Sequence, residues 1–406
     1  MNFAALKNGL RYSDLPLSFQ HAVTVTRALR LKYLWIDALC IIQDSKDDWE
    51  TESGKMAAIY QDAYIVLGAD MSPNSLGGFL NVEEGGYNGA GWPIATFKND
   101  KSVIYARSED EVNNDGIGFH LLGAEPLSKR AWTLQEQILA SKMVHFASRE
   151  MFWECKSTLS CECMQTDRDG PIENSPPSLR SLMNCTFPAK FKMWYTLVNE
   201  VTSRGITKPE DILPCLSGIA QHFQNSGAGL YLAGLWHDDL PLGLLWSRYN
   251  NPGTSRAVPY RGPSWSWTSI DQIEYPYSSG EFESDDNGLK KVYARIIEAK
   301  CFPNGKDPLG TVSSGYLKVA APLMRLEEKS RILPNYDFEE NTPREDLFCL
   351  FIGETTYGVC PTRGLILQKR RDLENSTFER VGWFSLYPGE EIPSLKGVKD
   401  STVTII

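Results

Sequence analysis

The sequence predicts an α/β domain built on a parallel sheet, followed by a mixed α+β region that becomes β-rich toward its end. Three observations carry this. Residues 12–80 alternate helical and strand patterns. Residues 33–42 are apolar on both faces, as a strand buried inside a parallel sheet must be. Beyond about residue 230, Trp236, Trp246, Trp265 and Trp267 stand among Gly-Pro punctuation and alternating runs such as Tyr316-Leu317-Lys318-Val319, a strand-and-turn pattern.

In chain order, Ser13 or Asp14 caps a helix that starts near Pro16, with Phe19, Ala22, Val23, Thr26 and Leu29 as its apolar stripe. The apolar run 33–42 comes next as a buried strand. From Asp47-Asp48 the spacing of Trp49, Ser53, Met56, Ile59, Tyr60 and Ala63 predicts an amphipathic helix with acids where its dipole favours them. A short strand at 64–67 completes a βαβ rhythm, which places Asp37, Asp44, Asp70 and the loop to Gly77-Gly78 at the strand ends where ligands bind in such sheets. Residues 81–126, rich in Gly, Asn and charge, read as loops around short strands. Ser128 caps a helix over 129–139, and strands succeed it at 142–146 and 151–155. The first domain is expected to span 1–165. A linker over 166–190, marked by Pro176-Pro177, leads to an aromatic-rich helix at 191–201 within a second region, 191–406.

Composition removes several function classes. The 406 residues carry 41 Lys+Arg against 51 Asp+Glu, a net charge of −10, with no basic run longer than Lys369-Arg370-Arg371, so nucleic acid is not an expected partner. Nowhere do eighteen apolar residues run together, and the N-terminus lacks a signal-peptide pattern. No membrane association and a cytoplasmic location are expected. Nine scattered cysteines predict reduced thiols and no disulfide. The glycines at 85–91 lack the spacing of a dinucleotide fingerprint, and neither a Gly-x-Ser-x-Gly elbow nor a P-loop occurs. Ser264 and Ser266 sit between tryptophans with no nucleophile pattern. His237-Asp238-Asp239 reads as a turn, with a metal or acid/base role as its alternative. Cys155, Cys161 and Cys163 with His145 lack a second paired knuckle, so no metal is expected.

Trp132 and Glu136 stand four apart on one predicted helix and share a face. Glu136 reads either as a functional carboxylate or as a solvated residue paired with Arg130. Asp37 reads either as a polar group facing the crevice or as a buried acid bonded to backbone N–H groups. Trp35, Trp49, Met56 and Tyr60 read as core.

The run Tyr33-Leu34-Trp35-Ile36-Asp37-Ala38-Leu39-Cys40-Ile41-Ile42-Gln43-Asp44, followed by Asp48-Trp49, Glu52-Ser53, Met56 and Ile59-Tyr60, resembles the signature of the fungal heterokaryon incompatibility (HET) domain. Arg130-Ala131-Trp132-Thr133-Leu134-Gln135-Glu136 and Phe152-Trp153-Glu154-Cys155 resemble its second and third blocks. Tyr231-Leu232-Ala233-Gly234-Leu235-Trp236 and Pro263-Ser264-Trp265-Ser266-Trp267 resemble the region that often comes after it.

The resemblance implies an effector of programmed cell death in fungal nonself recognition. It also implies a remotely Toll/interleukin-1 receptor (TIR)-like, doubly wound parallel sheet, a fold some of whose members cleave NAD. The enzymatic TIR pattern Ser-x-Trp-Cys-x-x-Glu has the Trp132 to Glu136 step, although this chain has Arg130 at the Ser position and Thr133 at the Cys position. By that resemblance Glu136 is the catalytic carboxylate, Asp37, Asp44, Arg130 and Trp132 are substrate-binding, and NAD is a substrate with no cofactor required. The contrasting expectation is a non-catalytic module that acts through protein partners or self-association. HET domains usually open with a strand resembling Tyr-x-x-Leu-Ser-Tyr-x-Trp-Gly, which is absent here. A truncated chain, a substitute strand in residues 1–10 and a degenerate domain are all consistent with that.

Overall fold

The computed structural model describes residues 8–80, 92–96, 103–106, 125–148, 151–155 and 158–161. From 189 onward it describes all but 249–254, 272, 276–288, 328–331, 340–344, 356–361, 374–375 and 387–397. The chain divides into two compact units, Met1–Asn184 and Cys185–Ile406. The linker expected at 166–190 falls almost wholly outside the described residues, as does the glycine run at 85–91.

In the first unit, α1 (Leu17–Ala28) comes after a 3-10 turn at Tyr12–Asp14, and Pro16 occupies its N-cap position in place of a Ser or Asp side chain. Its buried face is Ser18, Ala22 and Thr26, one residue per turn. The expected strand at 33–42 is not a strand. Residues 33–36 are extended but enter no ladder, and Asp37–Cys40 form a single helical turn, α2, whose Leu39 and Cys40 N–H groups bond the Ile36 carbonyl. The extended part nevertheless uses both faces. Leu34 and Ile36 pack on a cluster of Ala22, Phe79 and Phe146, while the Trp35 ring meets Tyr60 edge-on at 5.8 Å. Two covered faces explain why the run looks like a buried strand, yet Tyr33 itself is 91% exposed.

The expected helix over 47–63 is two helices, α3 (Lys46–Ser53) and α4 (Met56–Asp62), parted at Gly54-Lys55. Ser45 caps α3 by accepting from the Asp48 N–H at 3.2 Å, and Asp47 and Asp48 lie in its first turn. β1 (Val66–Gly68) is next, then a hairpin of β2 (Trp92–Thr96) and β3 (Val103–Ala106). After these come α5 (Ala131–Leu139), β4 (Lys142–Phe146), β5 (Met151–Cys155) and β6 (Leu159–Cys161). α5 is entered through a 3-10 turn at Leu127–Lys129 with Arg130, not Ser128, at its N-cap. The sheet order is β1-β4-β5-β6, parallel between β1 and β4 and antiparallel thereafter. Its one parallel pair is what the structure contains of the expected parallel sheet among the described residues.

The second unit begins with α6 (Ala189–Ser203) and α7 (Pro214–Asn225), succeeded by short strands β7 (Tyr231–Leu232), β8 (Leu235–Trp236), β9 (Ser247–Arg248) and β10 (Ile273–Glu274). The strands beyond β10 meet the β-rich expectation. β11 (Leu289–Val292), β12 (Arg295–Pro303), β13 (Val312–Arg325), β14 (Asn335–Tyr336), β15 (Leu347–Thr355), β16 (Thr362–Lys369), β17 (Thr377–Leu386) and β18 (Asp400–Ile405) form one sheet. β13 pairs with β18 through Leu317–Pro322 and with β15 through Leu323–Arg325, so β13, β15, β16, β17 and β18 close into a ring. Leu317, Val319, Leu350, Leu365, Leu367 and Val381 are among its fully buried residues.

Candidate functional site

α5 turns Ala131, Leu134, Gln135, Ile138 and Leu139 inward. That leaves Trp132 and Glu136 only partly buried, one above the other on a single face, as their four-residue spacing requires. α4 packs against α5 and brings the Tyr60 hydroxyl near enough to Glu136 to act on its carboxyl. Asp37, at the start of α2, and Arg130, at the entry to α5, act on the same carboxyl through their charges. Trp35 supports the Tyr60 ring, and Trp49 from α3 meets Trp132 edge-on at 6.3 Å. Tyr60, Trp35, Trp49, Trp132 and Glu136 each keep some surface open to solvent. The result is an aromatic-walled acidic site with two carboxylates and one arginine.

Glu136 titrates at about 7 instead of 4.5. Crowding by protein atoms is the main cause, and the Asp37 charge adds to it; the nearby Tyr60 hydroxyl and the Arg130 charge work in the other direction. Tyr60 is pushed well above its ordinary value by burial and by the neighbouring Glu136 and Asp37 charges. A carboxyl balanced near neutrality beside a solvent-facing surface is a combination found at catalytic sites.

Of the five residues expected here, the structure brings Glu136, Asp37 and Arg130 together and sets Trp132 beside Glu136 on the helix. Asp44 lies exposed in the turn after α2, with no contact joining it to the group. The buried-acid reading of Asp37 is corrected: it is exposed, and its Oδ1 accepts from the Ala38 N–H at 2.7 Å. Tyr60 is the residue that sequence reasoning missed. Its helical spacing marks it as core, and nothing in a single sequence signals its approach to a residue on a distant helix.

A second cluster lies under the sheet. β1 and β4 pair Gly68 with His145, and β4 and β5 bring Glu154 alongside. His145 Nδ1 is 3.1 Å from Asp70 Oδ2 and Nε2 is 3.4 Å from Glu154 Oε2, with His145 1% exposed. Burial alone would lower its titration point, but the Asp70 hydrogen bond and the nearby carboxylates of Asp70 and Glu154 outweigh it and raise it to about 9. His145, weighed in the sequence as a zinc ligand with Cys155, Cys161 and Cys163, therefore faces carboxylates. Cys163 lies outside the described residues. Gly68 is glycine for this cluster, since a Cβ there would stand 2.7 Å from Asp70 Oδ2 and 2.6 Å from Met143 Cε.

In the second unit a cavity of about 340 Å³ is lined by Arg256, Tyr260, Pro263, Ser313 and Glu379 among others. Arg256 is paired with Glu379 at 3.0 Å. His237 pairs with its neighbour Asp238 at 3.2 Å in a 3-10 turn, in line with the turn reading.

The chain thus carries a mixed α/β unit with a solvent-facing acidic site, and after it a β-rich unit. Residues 3–136 match the family model described as heterokaryon incompatibility protein (HET), a segment that ends at Glu136. Comparisons with curated proteins and with solved structures give no match. Among the described residues no helix is long and apolar enough to cross a membrane.

Proposed function

We propose that this chain acts in heterokaryon incompatibility as a cytoplasmic effector of fungal cell death, and that its Glu136 site cleaves the N-glycosidic bond of NAD. The observation that supports this best is the set of groups around Glu136: a partly exposed carboxyl poised near neutral pH, with the Tyr60 hydroxyl, Asp37 and Arg130 close enough to act on it. In the reaction, nicotinamide leaves with the electron pair of the C–N bond, and the ribose carbon becomes an oxocarbenium-like cation. The Glu136 carboxylate stabilises that charge, and water then adds to the carbon and loses a proton to give ADP-ribose. Arg130 suits a phosphate of the substrate, and Trp132 suits stacking on a ring. The TIR-like reading of the first unit draws on the helix-borne Glu136 and the parallel β1–β4 pair.

Incubating the purified protein with NAD and following nicotinamide release by chromatography tests the proposal. Release by the native chain and its loss by at least 100-fold in Glu136→Gln is the expected result. If Glu136→Gln kills fungal cells as efficiently as the native chain and NAD stays intact, the unit instead works through protein partners or self-association. The exposed Leu10, Tyr12, Leu29, Tyr33 and Leu39 are the surface from which that reading starts.

A further inference from the structure

The segment 72–80, which comes after β1, is fastened to α1 by two polar side chains one helical turn apart, Ser18 and His21. Ser18 Oγ lies 3.2 Å from Ser72 Oγ and accepts from the Gly78 N–H at 3.1 Å. His21 Nδ1 accepts from the next two N–H groups of the chain, those of Phe79 and Leu80, both at 2.9 Å. The fit is close. Gly78 stands at φ +70°, where a Cβ would come within 2.6 Å of His21 Cε1, and the imidazole meets the Phe79 ring edge-on at 5.5 Å.

Two N–H groups on one ring nitrogen fix the state of the imidazole: Nδ1 is bare and the ring proton sits on Nε2. A second proton, added at Nδ1, would set a donor against two donors. Both bonds would break and leave two backbone amides without their acceptor, one of them in Phe79, which is 3% exposed. Nothing nearby offsets that loss. The residues against the ring are Gly78, Phe79 and Leu80, its neighbours one turn away on α1 are Leu17, Ser18, Thr24 and Val25, and none of these is charged. Among the described residues burial alone moves its titration, downward from 6.5.

We propose that His21 is an acid-opened latch: the neutral imidazole holds Phe79 and Leu80 on α1, and protonation at Nδ1 frees them. Phe79 belongs to the cluster of Ala22 and Phe146, against which Leu80, Leu34 and Ile36 pack, so opening uncovers apolar surface in the first unit. Ile36 is the residue before Asp37, and the segment entering α2 loses part of its support with it. The sign follows from the bare nitrogen. The folded chain takes this proton less readily than the unfolded one, so the latch adds stability above about pH 6.5 and loses it as pH falls through the lowered titration point. None of this depends on NAD cleavage.

Amide hydrogen exchange of the full chain, corrected for the intrinsic rate at each pH, reads the latch at Phe79 and Leu80, and the imidazole nitrogen-15 shifts read the state of His21. At neutral pH those shifts should show a bare Nδ1 and a protonated Nε2. Protection of the two amides should fall by about tenfold or more between about pH 7.5 and about pH 5, with the same midpoint as the ring. His21→Asn sets an acceptor oxygen that does not titrate near the position of Nδ1, and should keep protection level over that range. Protection that stays constant while His21 titrates, or that falls equally in His21→Asn, would overturn the latch. Should His21→Asn fold poorly, the native chain decides: coincident ring and amide midpoints support the latch, and separate midpoints refute it.

Discussion

A carboxyl group that titrates at about 7 when folded and near 4.5 when unfolded makes the native state bind a proton that the unfolded chain releases. For Glu136 this linkage lowers stability as pH rises from about 4.5 to 7, and the loss is complete above that window. Converting the shift at ~1.4 kcal/mol per unit and allowing for the solvent-facing part of the side chain gives a penalty on the order of 2–3 kcal/mol. Glu136→Gln should therefore melt higher than the native chain at pH 8 and lose most of that advantage at pH 5, as read by calorimetry. A surface glutamate paired with Arg130 would show neither effect. His145 has the opposite sign. Raised to about 9 by Asp70 and Glu154, it contributes stability that is present below pH 6.5 and lost as pH rises through 9. The thermal midpoint of the native chain should fall between pH 7 and 10, and His145→Gln should flatten that fall while lowering stability at pH 6.

At the scale of elements, residues 34–36 show how a short stretch of chain can be covered on both sides without belonging to a sheet. Leu34 and Ile36 meet the Ala22–Phe79–Phe146 cluster and Trp35 meets Tyr60, so alternate side chains are covered from opposite sides. Ile36→Ala should then cost about 2 kcal/mol or more by denaturant unfolding, while Tyr33→Ser, at a position 91% exposed, should stay within about 0.5 kcal/mol. Equal costs at the two positions would contradict this alternation. The strands at 142–146 and 151–155 were legible because they alternate and are bounded by a helix end and a turn. The turn at Asp37–Cys40 was not, because a short apolar run has the same appearance in a strand as in a helical turn. That Trp132 and Glu136 share one face of a helix was legible from their four-residue spacing. The approach of Tyr60 to Glu136 and the Asp70–His145–Glu154 cluster were not legible, since helix packing and strand register bring these residues together across the chain.

At the scale of the molecule, each unit is organised by buried charge as well as by apolar packing, and in the second unit that charge is Arg380. It stands on β17 in the strand ring, fully buried, with Nε 2.8 Å from Asp337 Oδ2 just beyond β14. Its Nη1 donates to the Leu244 carbonyl at 2.6 Å and its Nη2 to the Trp246 carbonyl at 2.7 Å, and the guanidinium lies over the Trp246 ring. One side chain thus ties the ring to the tryptophan-bearing segment between β8 and β9. Taking two charges out of water is expensive, so the pair adds little net stability over an apolar replacement, but losing one member leaves the other charge and two carbonyls unpaired. Arg380→Met should accordingly destabilise the unit by about 3–5 kcal/mol, read from tryptophan fluorescence in a denaturant titration. The double variant Arg380→Met with Asp337→Leu should recover part of that loss, because it removes the stranded carboxylate and leaves only the carbonyls unsatisfied. A double variant no more stable than Arg380→Met alone would show that the arginine acts chiefly through Leu244 and Trp246, and that the tryptophan segment, more than Asp337, is what it holds to the ring.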